Sequence, residues 1–443
     1  MKKIDENFYG YIRVEGDTYT YNVSDNIVTL LPAQSDPQKR DDSLYRIKSH
    51  KTDTPEYLFG EDNNSMIAIL RNGKFVTDPI GTNVAIRFAT PIIIKACGNA
   101  EGFFNMLTED WCKFHAITFC GGNINALYTP GIAIEQPDVS ELLKYDGART
   151  IKMRPWSAYT RTTQFQIENE KVTLTVSIGQ TAETNNAENR GAYNLGKVYT
   201  FFRFSFENAQ GFEKMEKYYI IARKIVAILT SQNNICFEEV YLSQRNSEQK
   251  YFKTGICKIF DSYENYSIRQ WHKVIPIFSV FDYIPNLIDG IVNGKVNSLL
   301  ELLPEDNKMV NRISIKNVQD LCTALEVSYQ LDDKRKREKD ALIEELKKNI
   351  KNTIAEFTKA HNEIDVNKET TMSSAFQYLD YTLKQKILTL YDENHNVADA
   401  IVSKWLLPQI NETNIASFVK LRNGKTHSGT VERGDNTKLY AHY

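Results

Sequence analysis

The segment FYGYIRVEGDTYTYNVSDNIV, Phe8 to Val28, decides how the first half of the chain is read. Apolar and polar residues alternate along it, with Gly10 and Gly16 as punctuation. A period of two points side chains by turns to a core and to water, so the segment reads as strand. Ile86 to Ile94, Thr162 to Ile178 and Lys197 to Phe206 read the same way, being crowded with Thr, Val, Ile and aromatic residues. Gln34 to Asp42 and Glu183 to Gly196 are polar and read as exposed loops. Helices interrupt the strands. Residues 212–230, FEKMEKYYIIARKIVAILT, place Phe212, Met215, Tyr219, Ala222, Val226 and Leu229 on one face.

After about residue 276 the pattern changes. Pro276, Pro285, Gly290 and Gly294 punctuate the change. From Val318 onward the chain reads as helix, in segments 317–331, 333–361, 373–391, 396–408 and 413–422, with the loop HNEIDVNKETTMSS between two of them. The expected fold class is therefore α+β. It comprises a sheet-rich N-terminal domain (1–275), a helical connector (276–305) and an all-α C-terminal helical bundle (306–443).

Of the 443 residues, 42% are hydrophobic and 25% charged, which excludes wholesale disorder. The 54 basic and 56 acidic side chains leave a net charge of -2. A chain-wide basic surface of the general nucleic-acid-binding kind is excluded, and a local basic site is not. The run DDKRKREKD, Asp332 to Asp340, mixes signs at helical spacing and reads as a solvated face. Cys97, Cys112, Cys120, Cys236, Cys257 and Cys322 form no CxxC pair, and no histidine stands at zinc-site spacing. Such scattered cysteines fit a reducing cytoplasm and no structural metal. The N-terminus lacks the apolar core of a signal peptide, and no apolar run is long enough to span a bilayer. A cytoplasmic protein without a membrane partner is expected.

No GxGxxG, Walker, HExxH or GxSxG motif is present. Gly121-Gly122 reads as a turn, His115 near Trp111 as packing, and His395 in YDENHNV as loop. His427 differs. It lies in SFVKLRNGKTHSG, where Ile415, Phe418, Val419 and Arg422 follow helical spacing. Arg422 thus continues a buried face, where a guanidinium is costly without an anionic partner or ligand. Gly424 permits a helix stop or kink, and His427 follows on a segment able to return toward Arg422. Arginine, the Asn423 amide and histidine together suit metal-free RNA cleavage. Histidine is poised to take the proton of a ribose 2′-hydroxyl. The arginine fork suits phosphate oxygens whose charge grows in the transition state.

LRNGKTHSG, Leu421 to Gly429, closely resembles the Arg-Asn-x-x-x-His motif of HEPN domains, a superfamily of helical-bundle ribonucleases. VQDLCTALEVSYQ, Val318 to Gln330, resembles the first bundle helix of Apea-like HEPN proteins, with Glu326 at an acidic position that can hold the motif arginine. FFRFSFENAQGFEKMEKYYIIARKIVAILT, Phe201 to Thr230, resembles the N-terminal domain that accompanies this type in bacterial anti-phage proteins. The resemblance implies a HEPN-like bundle acting as a metal-independent endoribonuclease of abortive infection, with cellular RNA, transfer RNA included, as target. It implies His427 as general base or acid, Arg422 on the phosphate, Asn423 orienting substrate and Glu326 holding Arg422. No cofactor or metal is implied, and a phage protein is the expected activator. Cleavage needs both a base and an acid, one motif supplies one histidine, and His442 is poorly placed as a second. A homodimer with the motif at a bundle–bundle interface is therefore expected. Two alternatives stand beside this: a non-catalytic HEPN module that binds a nucleotide, RNA or a partner, and an antitoxin-regulated toxin without a phage sensor.

Overall fold

The computed structural model describes residues 8–14, 16–49, 55–62, 65–80, 83–97, 111–135, 153–184, 193–246, 248–260, 274–305, 315–330, 341–361, 370, 382–405 and 409–428. The first alternating segment folds as three strands: β1 (Phe8–Val14), β2 (Asp17–Ser24) and β3 (Ile27–Pro32). Gly16 (φ +83°) and Asp25 (φ +55°) turn the chain between them. Three more strands follow: β4 (Glu56–Asp62), β5 (Ser65–Ile80) and β6 (Asn83–Ala89). The antiparallel order β4-β1-β2-β3-β6-β5 closes on itself through β4–β5 pairing, making a six-stranded barrel.

Closure rests on glycines that the alternation did not single out for this purpose. At the β1–β4 seam, Ile12 stands opposite Gly60 and Tyr11 opposite Glu61. A Cβ on Gly60 would lie 2.1 Å from the Tyr11 carbonyl oxygen, and one on Gly10 would lie 2.0 Å from that of Glu61. Gly10 is therefore a close-approach residue inside a strand, not punctuation. The barrel encloses Ile12, Tyr19, Val28, Leu30, Ile67, Ile69 and Ile86. Leu44 and Ile47 join this core from helix α1 (Pro37–Ser49). The loop expected over Gln34 to Asp42 is thus helix from Pro37 onward, because the next apolar residues, Leu44 and Ile47, need one to reach the core. Arg71, 1% exposed, donates to Glu56 Oε1 at 2.8 Å and lies 4.8 Å from the Phe75 ring centre.

Seven more strands extend the sheet from β5: β7 (Ile92–Ala96), β8 (Lys113–Cys120), β9 (Arg161–Ile167), β10 (Glu170–Thr184), β11 (Tyr193–Gly211), β12 (Glu239–Arg245) and β13 (Tyr251–Ile259). Their order is β7-β13-β12-β8-β11-β10-β9, antiparallel throughout. Short helices α2 (Ile124–Leu127) and α3 (Trp156–Tyr159) lie in the connections. Helix α4 (Met215–Thr230) covers one face of this sheet. Tyr218 meets Phe204 and Phe206, and Tyr219 meets Phe119. Phe212, Met215, Tyr219, Ala222, Val226 and Leu229 are all buried, and so are Tyr218, Ile221 and Ile225, so the apolar arc is wider than one stripe.

The remaining described helices are α5 (Ile284–Val292), α6 (Asn297–Glu301), α7 (Ile315–Gln330), α8 (Ala341–Ala360), α9 (Leu383–Trp405) and α10 (Glu412–Ser428). The run 332–340 and most of the loop HNEIDVNKETTMSS lie outside the described residues. The helices expected over 373–391 and 396–408 are the two arms of α9, which meet at a break at Asn394 (φ −123°, ψ 17°) inside the expected gap; residues 373–381 and 406–408 lie outside the described residues. His395 directly follows this break, its Nδ1 2.8 Å from the Asp392 carbonyl oxygen. No described helix is long and apolar enough to cross a membrane.

The expected fold class, a sheet-rich α+β domain followed by an all-α bundle, is corrected. Among the described residues the architecture is a closed six-stranded antiparallel barrel with seven further strands, thirteen in all, plus ten helices, and the N-terminal part is sheet-rich. Alternation reports the two faces of each strand separately. Closure depends on how near β4 comes to β1, which leaves no periodic trace. The chain divides into two compact units, Met1–Thr230 with Asn234–Asp289, and Ser231–Asn233 with Gly290–Tyr443. The cut falls within the expected connector. Asn233 belongs to the second unit because its side-chain amide donates to the Leu300 and Leu303 carbonyls.

Candidate functional site

Helix α10 begins at Asn411, whose side chain accepts the Asn414 backbone N–H at 2.9 Å and so caps the first turn. Glu412 adds negative charge at the positive end of the helix dipole and pairs with Lys384 of α9. The next turns bury Ile415 and Phe418. Phe418 packs with Val318 and Cys322 of α7 and Leu383 of α9, and Val419 and Ile387 border the cluster. On α7, Val318, Cys322 and Glu326 recur every four residues and share one face. That face is apolar at its start and ends in a carboxylate.

Arg422 lies where the apolar stripe of α10 runs out. Its Nη2 is 4.0 Å from Glu326 Oε2, with the two side chains 30% and 31% exposed. Its Nη1 donates to Asn423 Oδ1 at 3.2 Å. The structure thus brings Arg422, Asn423 and Glu326 together at the rim of the three-helix cluster. A half-exposed pair at this separation contributes less than about 1 kcal/mol. Glu326 orients the guanidinium. Beneath the pair, burial pushes the Cys322 thiol up to about 11, with Arg422 acting to lower it and Glu326 to raise it.

The expected stop or kink at Gly424 does not occur, and α10 continues to Ser428. Glycine permits a left-handed turn but does not impose one, and the helical hydrogen bonds need no Cβ. His427 therefore sits on the helix itself; its side chain lies outside the described residues, as does all of His442. Residues 423 and 427 are four apart and share a face. Positions 422 and 427 are roughly 140° apart around the helix axis, at about 100° per residue.

Gly121 and Gly122 make a turn in which both φ angles are positive, +65° and +60°. The Gly121 N–H donates to the Thr200 carbonyl and the Gly122 N–H to Glu238 Oε1. These donors are already engaged within the protein, which disposes of a phosphate cradle there. His115 Nδ1 accepts the Arg245 N–H at 3.4 Å, a packing contact. One group went unnoticed in the sequence: Arg203 in FFRFSF. Phe202, Phe204 and Phe206 are the helix-covered positions, so the odd-numbered Arg203 lies on the opposite face of the sheet. A cation in an aromatic strand was the available signal.

No protein-family description matches the chain, and no curated protein and no solved structure matches it.

Proposed function

We propose that the helical unit is a metal-independent endoribonuclease of the Apea-like HEPN type, acting in the cytoplasm in bacterial anti-phage defence. The observation that carries this reading is the placement of Arg422 between Asn423 and Glu326 beside the apolar cluster of α7, α9 and α10. A guanidinium positioned beside a carboxylate and an amide presents a planar fork that suits phosphate oxygens. In the reaction, His427 takes the proton of a ribose 2′-hydroxyl. The 2′-oxygen then forms a bond to the adjacent phosphorus and the P–O5′ bond breaks. A second histidine delivers a proton to the leaving 5′-oxygen. The products are a 2′,3′-cyclic phosphate and a 5′-hydroxyl. Arg422 stabilises the charge that builds on the phosphate oxygens, and Asn423 orients substrate.

The unbroken helix favours a paired site. Positions 422 and 427 lie roughly 140° apart around the axis of α10. A two-fold homodimer sets His427 of one copy beside Arg422 of the other and supplies both base and acid. Cellular RNA, transfer RNA included, is the substrate, and a phage protein is the activator.

The test is incubation of the chain with total RNA in EDTA beside a His427→Ala control. Fragments ending in cyclic phosphate are expected from the parent alone, and DNA stays intact because it lacks the nucleophile. RNA bound but uncut would support the binding-module alternative, and cleavage of DNA would sink the mechanism. Arg422→Lys keeps the charge and loses the fork, with at least about tenfold slower cleavage expected, or roughly 1.4 kcal/mol. Near-normal cleavage by that variant would make Arg422 structural.

A further inference from the structure

The face of the β7–β13 sheet away from α4 carries a ladder of rings and cations. Arg203 of β11 stands opposite Thr118 of β8, and Thr118 stands opposite Tyr241 of β12. The Arg203 side chain reaches along this row toward β13. Its Nε donates to Thr118 Oγ1 at 3.2 Å. Its guanidinium carbon is 5.0 Å from the Phe201 ring centre and 5.2 Å from that of Tyr251. Lys253, on the same strand as Tyr251, lies 4.8 Å from the Tyr241 ring centre and pairs with Glu239. Trp156 stacks on Phe201, with centroids 6.1 Å apart and planes at 28°, and is 51% exposed.

Glu239 answers Lys253, but no carboxylate of the described residues pairs with Arg203. Aromatic faces hold a guanidinium in place without cancelling its charge. A half-buried arginine set among rings, and hydrogen-bonded to Thr118 and the Tyr241 hydroxyl, keeps its positive charge and is suited to a phosphate or carboxylate. The half-exposed indole at the end of the same ladder is suited to a flat base, since base–aromatic stacking contributes about 1–3 kcal/mol per base.

We propose that this face binds a nucleotide, with its phosphate on Arg203 and its base on Trp156. The ligand is either a free nucleotide or the 5′-terminal nucleotide of an RNA. The site lies in the strand-bearing unit and is read out by binding, so it stands or falls apart from the nuclease reading.

The full chain carrying His427→Ala is titrated calorimetrically with AMP, adenosine and inorganic phosphate. AMP is expected to bind at least tenfold more tightly than adenosine or phosphate alone. Trp156→Ala, at an exposed position, keeps the melting temperature and weakens AMP at least tenfold. Arg203→Gln does the same to AMP while leaving adenosine unchanged. If Arg203→Gln fails to fold, the AMP-to-adenosine ratio and Trp156→Ala decide the matter. A short oligoribonucleotide with a 5′-phosphate, beside its 5′-hydroxyl twin, separates the two sources. Phosphate-dependent binding tighter than that of AMP identifies an RNA end, and binding no tighter identifies a free nucleotide. Absence of AMP binding at millimolar concentration, equal affinity for AMP and adenosine, or unchanged AMP affinity in a folded variant overturns the assignment.

Discussion

The barrel and the helical cluster hold themselves together in opposite ways. In the barrel, each strand is paired on both sides, and the core side chains come from β1–β6 and α1, with Ile93 of β7. In the helical cluster, the fully buried contacts described rest on Val318, Cys322, Leu383 and Phe418. A closed sheet distributes its backbone hydrogen bonds around a ring and leaves no edge. Three helices satisfy their backbone bonds internally and meet only through side chains. The lesson concerns polar groups. The barrel buries Arg71 completely and must match it with Glu56, whereas the thin helical core leaves Arg422 half-exposed at its rim. A ligand can reach the second and not the first.

If closure governs the barrel, the smallest addition at the seam has the largest effect. Gly60→Ala sets a methyl 2.1 Å from the Tyr11 carbonyl oxygen, and backbone cannot yield as a side-chain tip can. A loss of about 4 kcal/mol or more is expected, measured by urea unfolding of the strand-bearing unit. A loss below about 1 kcal/mol would mean the seam is loose and the barrel not tightly closed.

Phe418→Ala sharpens the contrast from the other side. Removing the ring from so small a cluster is expected to cost about 3 kcal/mol. The loss should appear in the unfolding of the helical unit, with the strand-bearing unit's transition unmoved. A single shared shift of both transitions would show that the two units unfold together.

Alkaline pH separates the units through their buried thiols. Burial raises Cys322 to about 11 and Cys120 to about 12, from an ordinary 9.0. The folded state therefore holds protons that the unfolded state releases, and stability falls as pH rises above about 9. The helical unit should lose on the order of 2 kcal/mol by pH 11 through Cys322, and Cys322→Ala should flatten that slope. In the strand-bearing unit the decline through Cys120 continues to pH 12. A slope unchanged by Cys322→Ala would remove the thiol from the account.

The smallest effect has the opposite sign. Gly424 lies inside α10, so Gly424→Ala should stabilise the helical unit by about 1 kcal/mol. The same substitution is thus ruinous at Gly60 and helpful at Gly424. Thermal melting that shows a loss at Gly424 would indicate a close neighbour or a break in the helix there.

Local pattern by itself determined where strands and helices lie in much of the chain. Tyr19, Tyr21 and Val23 alternate into the core as their spacing requires, and the period of Phe212 to Leu229 buries the expected side chains. The same kind of spacing brought Arg422 to the end of an apolar stripe. The HEPN resemblance singled out Glu326, which stands 4.0 Å away. Tertiary structure alone decided three things. Closure of the barrel depends on β1–β4 approach between residues about fifty positions apart, which no local window can sense. Continuation of α10 through Gly424 reverses the turn that glycine suggested, because a permissive residue takes the conformation its neighbours impose. The ladder on Arg203 draws on β8, β11, β12 and β13, strands that are scattered in sequence and adjacent only through their hydrogen-bonded order. Periodicity is a property of one segment, whereas closure and convergence are relations between segments, and only packing sets those.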